Sequence, residues 1–135
     1  MAKTNHRYDA TDCAVSLNSV PVTEFAPGTT FISGAKSNNF ADSSSDAFGN
    51  GKTAVNHDSS GTITFSMDPF SDVYQDVLRL GGSLEEVPIS VTTPVEHMHA
   101  EHATLQNLPP VEYESGYPTR SVVFSCSDYQ VDPVK

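Results

Sequence analysis

The sequence contains no tryptophan and only two cysteines among its 135 residues. Cys13 and Cys126 both fall on apolar positions of predicted strands, which favours buried reduced thiols over a disulfide. No apolar run approaches the length of a membrane-spanning segment, and Met1–Ala10 has no hydrophobic stretch typical of a signal peptide. We therefore expect the chain to be made and folded in the cytoplasm, with no membrane partner.

Basic residues are also scarce. Seven Lys and Arg face seventeen Asp and Glu, which gives a formal net charge of −10, and the segment Glu85–Glu114 contains six acids and no Lys or Arg. Nucleic-acid binders need positive charge to hold phosphate, so this chain should repel duplex DNA. A surface that carries charge of one sign either keeps the protein soluble or creates an electrostatic field over a cavity or channel.

Motifs for catalysis are missing as well. The sequence has no GxSxG, no HExxH and no glycine pattern typical of a phosphate-binding loop. The adjacent carboxylates of Glu85 and Glu86 follow a Gly-Gly-Ser-Leu segment, which favours loop charge over acid–base chemistry. We predict that the protein is not an enzyme and has no cofactor.

One cluster does contain metal-ligand residue types, at Glu96–His102. On a strand, His97, His99 and Glu101 would project from one face, whereas on a helix His99 and His102 would be neighbours. A metal would need its remaining ligands from elsewhere in the chain. We therefore favour a solvated or lumen-facing strand that carries histidines, and we predict no metal site.

The clearest structural signal is the stretch from Ser59 to Gly82. Apolar and polar residues alternate strictly over Gly61–Met67, which predicts a half-buried strand. Asp68-Pro69 then ends the strand, and the apolar period changes to that of a helix over Ser71–Leu80, which we expect Asp68 or Ser71 to cap. Phe70, Val73, Tyr74, Val77 and Leu80 are predicted to share the apolar face of this helix.

Alternation and turn residues predict about eight strands around this helix. The strands are Cys13–Leu17, Val20–Phe25, Thr29–Lys36, Lys52–His57, Gly61–Met67, Val87–Thr92, Glu96–Leu105 and Thr119–Cys126. This order predicts a mainly β fold, a β-sandwich or barrel with one short α-helix. We expect residues 1–135 to form a single domain with a flexible C-terminal tail at 128–135.

A long polar segment, Ser37–Gly51, interrupts the predicted strands. A connection of this length in a small domain is usually functional or disordered, and we predict a loop here. The segment contains Phe40 and Phe48 among polar residues, where aromatic rings would be poorly accommodated in water. These rings either meet a partner surface or fold back on the domain.

Taken together, these features resemble the tail tube proteins of contractile-tailed bacteriophages. The resemblance lies in the order of local patterns along nearly the whole chain, and none of these patterns is catalytic. The segments that carry it are Tyr8-Asp9, Val20-Pro21-Val22, Phe25–Gly28, Thr30–Ile32, Ser45–Phe48, Ser60–Phe65, the helix Ser71–Leu80, Asn107–Tyr113 and Thr119–Phe124. The histidines of Glu96–His102 depart from the pattern, since small and apolar residues are expected there.

The resemblance implies a structural virion protein, located in the phage tail and assembled in the host cytoplasm. Its subunits would form homohexameric rings that stack into a hollow tube inside the tail sheath, with tape-measure and baseplate proteins as further partners. Genomic DNA would pass through during ejection without specific binding. Phe40, Asp46 and Phe48 are then the candidates for contacts between rings, and Glu96, Glu101 and Asp42 are the candidates for an acidic lumen.

Two alternatives remain open at this point. A tube component of a type VI secretion system would share the same architecture and the same demands on its surface. A metal- or sugar-binding β-sandwich that uses the histidine strand or the Ser/Asn-rich segment is the less favoured alternative.

Overall fold

The computed structural model describes residues 3–28 and 30–134. The described residues contain ten strands, one α-helix and a short 3-10 helix at Ala10–Asp12. The helix α1 is Asp72–Leu80, and the strands are β1 (Ala14–Leu17), β2 (Val20–Pro21), β3 (Ile32–Lys36), β4 (Ala41–Ser45), β5 (Gly51–Val55), β6 (Gly61–Met67), β7 (Glu86–Thr92), β8 (Glu96–Leu105), β9 (Arg120–Cys126) and β10 (Gln130–Pro133). The predicted mainly β fold with one helix is confirmed. Thr29, the first residue of the predicted third strand, and Lys135 lie outside the described residues.

The strand β6 lies at the centre of the hydrophobic core. Ile63, Phe65 and Met67 are fully buried, while the Thr and Ser residues between them are half-buried. β6 pairs antiparallel with β3 on one side and with β9 on the other. The ring of Phe124 on β9 meets Phe65 edge-on, with 5.7 Å between the ring centroids. Cross-strand aromatic pairs of this kind stabilise a sheet beyond the area that they bury.

All named strand pairs are antiparallel, and eight of the ten strands belong to one hydrogen-bonded sheet. Its order is β2-β1-β7-β8-β9-β6-β3, and β10 branches from β8. The first part of β8, residues 96–99, pairs with β10, and the last part, residues 103–105, pairs with β9. One side of β8 is therefore shared by two strands, β10 along its first part and β9 along its last part. Buried side chains from β1, β6, β7, β8 and β9 form one hydrophobic cluster with the helix.

A β-bulge in β8 changes which residues face the core. Val87 and Ile89 of β7 are two residues apart, but their partners on β8, Ala103 and Ala100, are three apart. Both alanines are buried, so the extra residue leaves Glu101 and His102 exposed together. A bulge of this kind re-aims side chains on one strand without ending its pairing.

The helix begins at a capping serine. The Ser71 side chain accepts a hydrogen bond from the backbone N–H of Tyr74 at 3.2 Å, as predicted for an N-cap. Tyr74 and Val77 are buried in the core cluster. Phe70, which we predicted to lie on this apolar face, precedes the helix and is 74% exposed. Its ring lies beside Tyr117 instead, with 6.0 Å between centroids.

Gly61 is buried where three strands come together. It pairs with Lys36 of β3 and with Cys126 of β9. A Cβ atom at this position would lie 2.7 Å from the carbonyl oxygen of Ala35 and from the side chain of Tyr129. The close packing therefore requires glycine here.

Two segments differ from the prediction. The segment Ser37–Gly51, predicted as a loop, contains the strand β4 and the first residue of β5, which pair with each other as a hairpin. The tail predicted at 128–135 contains β10, which pairs with β8. Both strands are mostly polar and exposed, so they lack the apolar alternation on which the prediction depended. The predicted strand Val20–Phe25 is also shorter, since only Val20–Pro21 forms a strand and Phe25 makes an isolated bridge to Met67.

Candidate assembly surfaces

The hairpin β4–β5 forms a small sheet of its own, which we call the arm (Ala41–Val55). Its register runs from Ala41 opposite Val55 to Ser45 opposite Gly51. Every residue of the arm is exposed, so the arm buries no side chain in the hydrophobic core. An isolated two-stranded hairpin is marginally stable in water. The arm therefore has the properties of an element that another surface completes.

The base of the arm is fixed to the body by polar contacts. Asn56 donates its backbone N–H to the carbonyl of Phe40 at 2.8 Å, which closes the hairpin. Asn38 donates a side-chain hydrogen bond to the Asp58 carboxylate at 2.7 Å, and the Lys36 ammonium donates to the Asp58 carbonyl. The same Lys36 ammonium lies 5.1 Å from the centroid of the Phe40 ring. These contacts set the direction in which the arm leaves the body.

The tip of the arm is organised by Asp46. Its carboxylate accepts backbone N–H groups from Phe48 at 3.0 Å and Asn50 at 2.9 Å, and the Asn50 side chain at 3.0 Å. The hydrogen bonds from Asn50, followed by the one from Phe48, lower the pKa of the Asp46 carboxyl. Gly49 adopts the left-handed backbone conformation that the turn requires, with φ of 83°. Phe48 is left 94% exposed at this tip.

All three residues predicted as inter-ring contacts lie on or beside the arm, in two separate places. Phe40 lies at the base, where it is 77% exposed, and Phe48 lies at the tip with Asp46. The carboxylate of Asp46 is occupied by hydrogen bonds within the turn. Phe48 is therefore the side chain that the tip presents, and Asp46 holds the loop that presents it.

The predicted acidic lumen residues are on two different sheets. Glu96 and Glu101 lie on β8 of the main sheet, and both are exposed. Asp42 lies on the arm, where its carboxylate accepts a hydrogen bond from the side chain of Asn39 at 3.1 Å. The structure does not bring these three carboxylates together.

Three strands of the main sheet end its hydrogen-bonding pattern among the described residues. β2 and β3 terminate the main path, and β10 pairs only with β8. The middle of β3, Ser33–Ala35, is exposed. Free edges present unpaired backbone N–H and C=O groups, which invite pairing with another chain. These short free edges and the arm are parts of the described chain where backbone groups or apolar side chains are left exposed.

Large apolar side chains are exposed both on the arm and on the body. Fifteen are exposed among the described residues, and eight of them are more than 70% exposed. These eight are Tyr8, Phe40, Phe48, Phe70, Leu84, Val95, Val111 and Tyr113. Single exposed apolar residues are ordinary, but aromatic anchors are the residues that interfaces bury most often.

The histidine strand has a different third partner from the one that the sequence indicates. His97 and His99 lie on one face of β8 with stacked rings, 4.8 Å between centroids. Glu101, which we predicted to join them, lies instead in a group with His102 and Asp128. Asp132 of β10 joins the two histidines, with its Oδ2 atom 2.7 Å from Nε2 of His99. Sequence reasoning missed Asp132 because the sequence predicts a tail at 128–135, where the structure has β10. The order of residues in the chain does not reveal that β10 pairs with β8.

Comparisons with known proteins identify the class of fold. No protein-family model matches the chain, and no curated protein matches it. Solved structures do match. One is a chain of the anti-feeding prophage cap, the tube terminating cap, with a TM-score of 0.66, 13% identity, and coverage of 99% of this chain and 96% of that one.

Two further matches come from the extracellular contractile injection system PVC, both in the extended state. A chain of its sheath-tube complex has a TM-score of 0.66 and 13% identity, and covers 96% of this chain and 93% of that chain. A chain of its sheath/tube terminator has a TM-score of 0.60 and 9% identity, and covers 96% of this chain and 99% of that chain. The chain therefore has a contractile tail tube-like fold over nearly its full length.

Proposed function

We propose that this chain is a structural subunit that forms hexameric rings, which stack into the inner tube of a contractile tail. The observation that carries the proposal is the fold, which resembles chains of contractile injection systems over 96–99% of the length of this chain. Those neighbours are tube, sheath-tube or terminator assemblies, which supports a structural role without catalysis. The proposed partners are copies of this chain, a surrounding sheath, and tape-measure and baseplate proteins.

The exposed edges and the arm support this assembly. Joining neighbouring subunits edge to edge would satisfy the free backbone groups of strands such as β3, and would form a continuous barrel with no exposed edge. The arm then extends from the body toward a neighbouring ring, where Phe48 would be buried. Head-to-tail contacts of this kind build open stacks of rings.

The charge of the chain supports a passage for a polyanion. The net charge is −10, and Glu96 and Glu101 are exposed on β8. A bore lined with carboxylates repels phosphate and releases no counterions, so DNA would pass without adhering. We therefore propose that the tube belongs to a phage tail and conducts the genome during ejection. Glu96 and Glu101 are the proposed lumen residues, while the position of Asp42 on the arm suits a contact between rings better.

A second candidate is a tube of an injection particle that carries no genome. The observation that favours it is that the matched structures include an anti-feeding prophage and an extracellular contractile injection system. Neighbouring genes distinguish the two candidates: capsid and tape-measure genes indicate a phage, and effector and ATPase genes indicate an injection or secretion system.

No helix in the described part of the chain is long and apolar enough to span a membrane.

Negative-stain microscopy of the purified protein and of its native particle tests the proposal. We expect rings that stack into tubes, and these tubes should lengthen as protein concentration increases. Single rings that never stack would indicate a cap, as in the matched terminating assemblies, and would contradict a tube subunit. Globular monomers at every concentration, together with a native particle in which antibodies to this chain label no tube, would also contradict the proposal.

A further inference from the structure

The outer face of β8 carries a cluster of two imidazoles and one carboxylate. His97 and His99 are two residues apart on the strand, and their rings stack at 4.8 Å with an angle of 29° between planes. Asp132 lies on the neighbouring strand β10, directly opposite His97. One ligand atom from each of the three residues lies within 4.8 Å of the other two.

We propose that His97, His99 and Asp132 form a binding site for a divalent transition-metal ion, with zinc as the best match. Imidazole nitrogens and a carboxylate oxygen are the donors that Zn²⁺ takes, and three protein ligands leave one position open to water. Mg²⁺ and Ca²⁺ prefer sites made entirely of oxygen, so a site with two histidines selects against them. The open position distinguishes this site from a closed structural zinc site.

The surroundings hold the ligands close to a binding arrangement. β8 is paired on both sides at this point, with β7 and with β10, so its backbone is rigid. Ser90 of β7 holds the His97 ring through a hydrogen bond of 2.9 Å to Nε2, and Asp132 holds His99 at 2.7 Å. All three ligand residues are half-buried. Metal binding would replace the hydrogen bond between His99 and Asp132 with coordination by both side chains.

A second cluster of similar composition provides a contrast. Glu101, His102 and Asp128 also lie close together. Here the Asp128 carboxylate accepts the backbone N–H groups of Glu101 and His102, at 3.0 and 3.1 Å, and so satisfies donors that the bulge leaves unpaired. His102 is paired with Glu86 at 2.7 Å on the exposed surface. The Asp128 carboxylate is already bound to backbone N–H groups, so this cluster is a suitable control for the proposed site.

The metal would join two strands that are distant in sequence. β10 pairs with β8 over only four residues and with no other described strand. A ligand that binds only the folded chain stabilises it in proportion to the logarithm of its concentration relative to its Kd. Zinc should therefore raise the melting temperature and slow the opening of β10 in particular.

Isothermal titration calorimetry of the full chain with ZnCl₂ tests the proposal. We expect one Zn²⁺ per chain, and we expect His99→Ala and Asp132→Ala each to weaken binding by roughly 10-fold or more. His102→Ala is the matched control and should bind as the wild type does. Circular dichroism of each variant checks that it folds, and the visible spectrum of Co²⁺ in the wild type reports nitrogen and oxygen coordination without any substitution.

Two results would overturn the site. One is the absence of saturable Zn²⁺ binding and of a Co²⁺ spectrum in the wild type. The other is binding that His102→Ala abolishes while Asp132→Ala leaves it unchanged. Binding that excess Mg²⁺ displaces would likewise exclude a site built on imidazole.

Discussion

Replacing Phe48 with alanine should separate assembly from folding. The ring is 94% exposed at the tip of the arm, so its removal should change the free energy of unfolding of the monomer by no more than about 0.5 kcal/mol. If a neighbouring ring of subunits buries this side chain, each contact loses about 1.5–3 kcal/mol of apolar burial. A loss of that size weakens each contact by roughly 10- to 150-fold.

The assay measures both quantities on the same preparations. Light scattering and negative-stain microscopy give the protein concentration at which tubes form and the tube length, and urea unfolding gives monomer stability. Phe70→Ala is the matched control, because Phe70 is 74% exposed but lies outside the arm. Phe124→Ala is the opposite control, because its fully buried ring should cost about 3–5 kcal/mol of folding stability.

The expected pattern is a Phe48→Ala chain that melts like the wild type and assembles poorly. Intact tubes with a large fall in melting temperature would refute the reasoning, since Phe48 would then pack on its own domain. Equal assembly defects in Phe48→Ala and Phe70→Ala would show that the arm has no special role in assembly.

Three further predictions concern single positions. Gly61→Ala should destabilise the chain by about 1–3 kcal/mol in urea unfolding, because the new methyl group meets the Tyr129 side chain, and an unchanged midpoint would contradict this packing. Burial, with a smaller contribution from a nearby carboxylate, raises the pKa of the Cys126 thiol to about 11, so near pH 8 only about one part in a thousand is the reactive thiolate. Iodoacetamide should therefore modify half-buried Cys13 first at that pH and reach Cys126 as the pH approaches 11, and equal rates near pH 8 would be inconsistent with burial. Hydrogen bonds lower the pKa of the Asp46 carboxyl below its ordinary 3.8. The ionised carboxylate therefore stabilises the tip of the arm above pH 3.8, and this stabilisation is lost as the pH falls through the lowered pKa. Exchange of the Phe48 amide should accelerate in that acidic range, and in Asp46→Ala it should already be accelerated at neutral pH.

The sequence predicted the elements that bury one face. The strand Gly61–Met67 has the bounds that apolar alternation indicates, and the helix begins after Ser71 as its capping chemistry requires. In both cases the same residues that determine the local structure also fill the core. Local pattern and burial then agree, and periodicity is sufficient to find the element.

The elements that the sequence did not predict are strands whose residues do not bury an apolar face. β4 and β10 consist mostly of exposed polar residues, so no hydrophobic period marks them. The pairing of Asp132 with the histidine strand depends on a contact across 33 positions of the chain. The bulge at Glu101 and His102 likewise depends on the register between β7 and β8, which a single strand does not encode. Phe40 and Phe48 remain predicted assembly residues, because an aromatic ring in a polar segment can be recognised even when the structure of that segment is not predicted.

The central claim is that the surfaces left open in this subunit are completed by other copies of the same chain. Hydrogen–deuterium exchange, compared between free subunits and tubes taken from the native particle, tests it most directly. We predict fast exchange in the arm and in β3 of the free chain, and strong protection of both segments in the tube. Equally fast exchange of both segments in the assembled tube would contradict the claim.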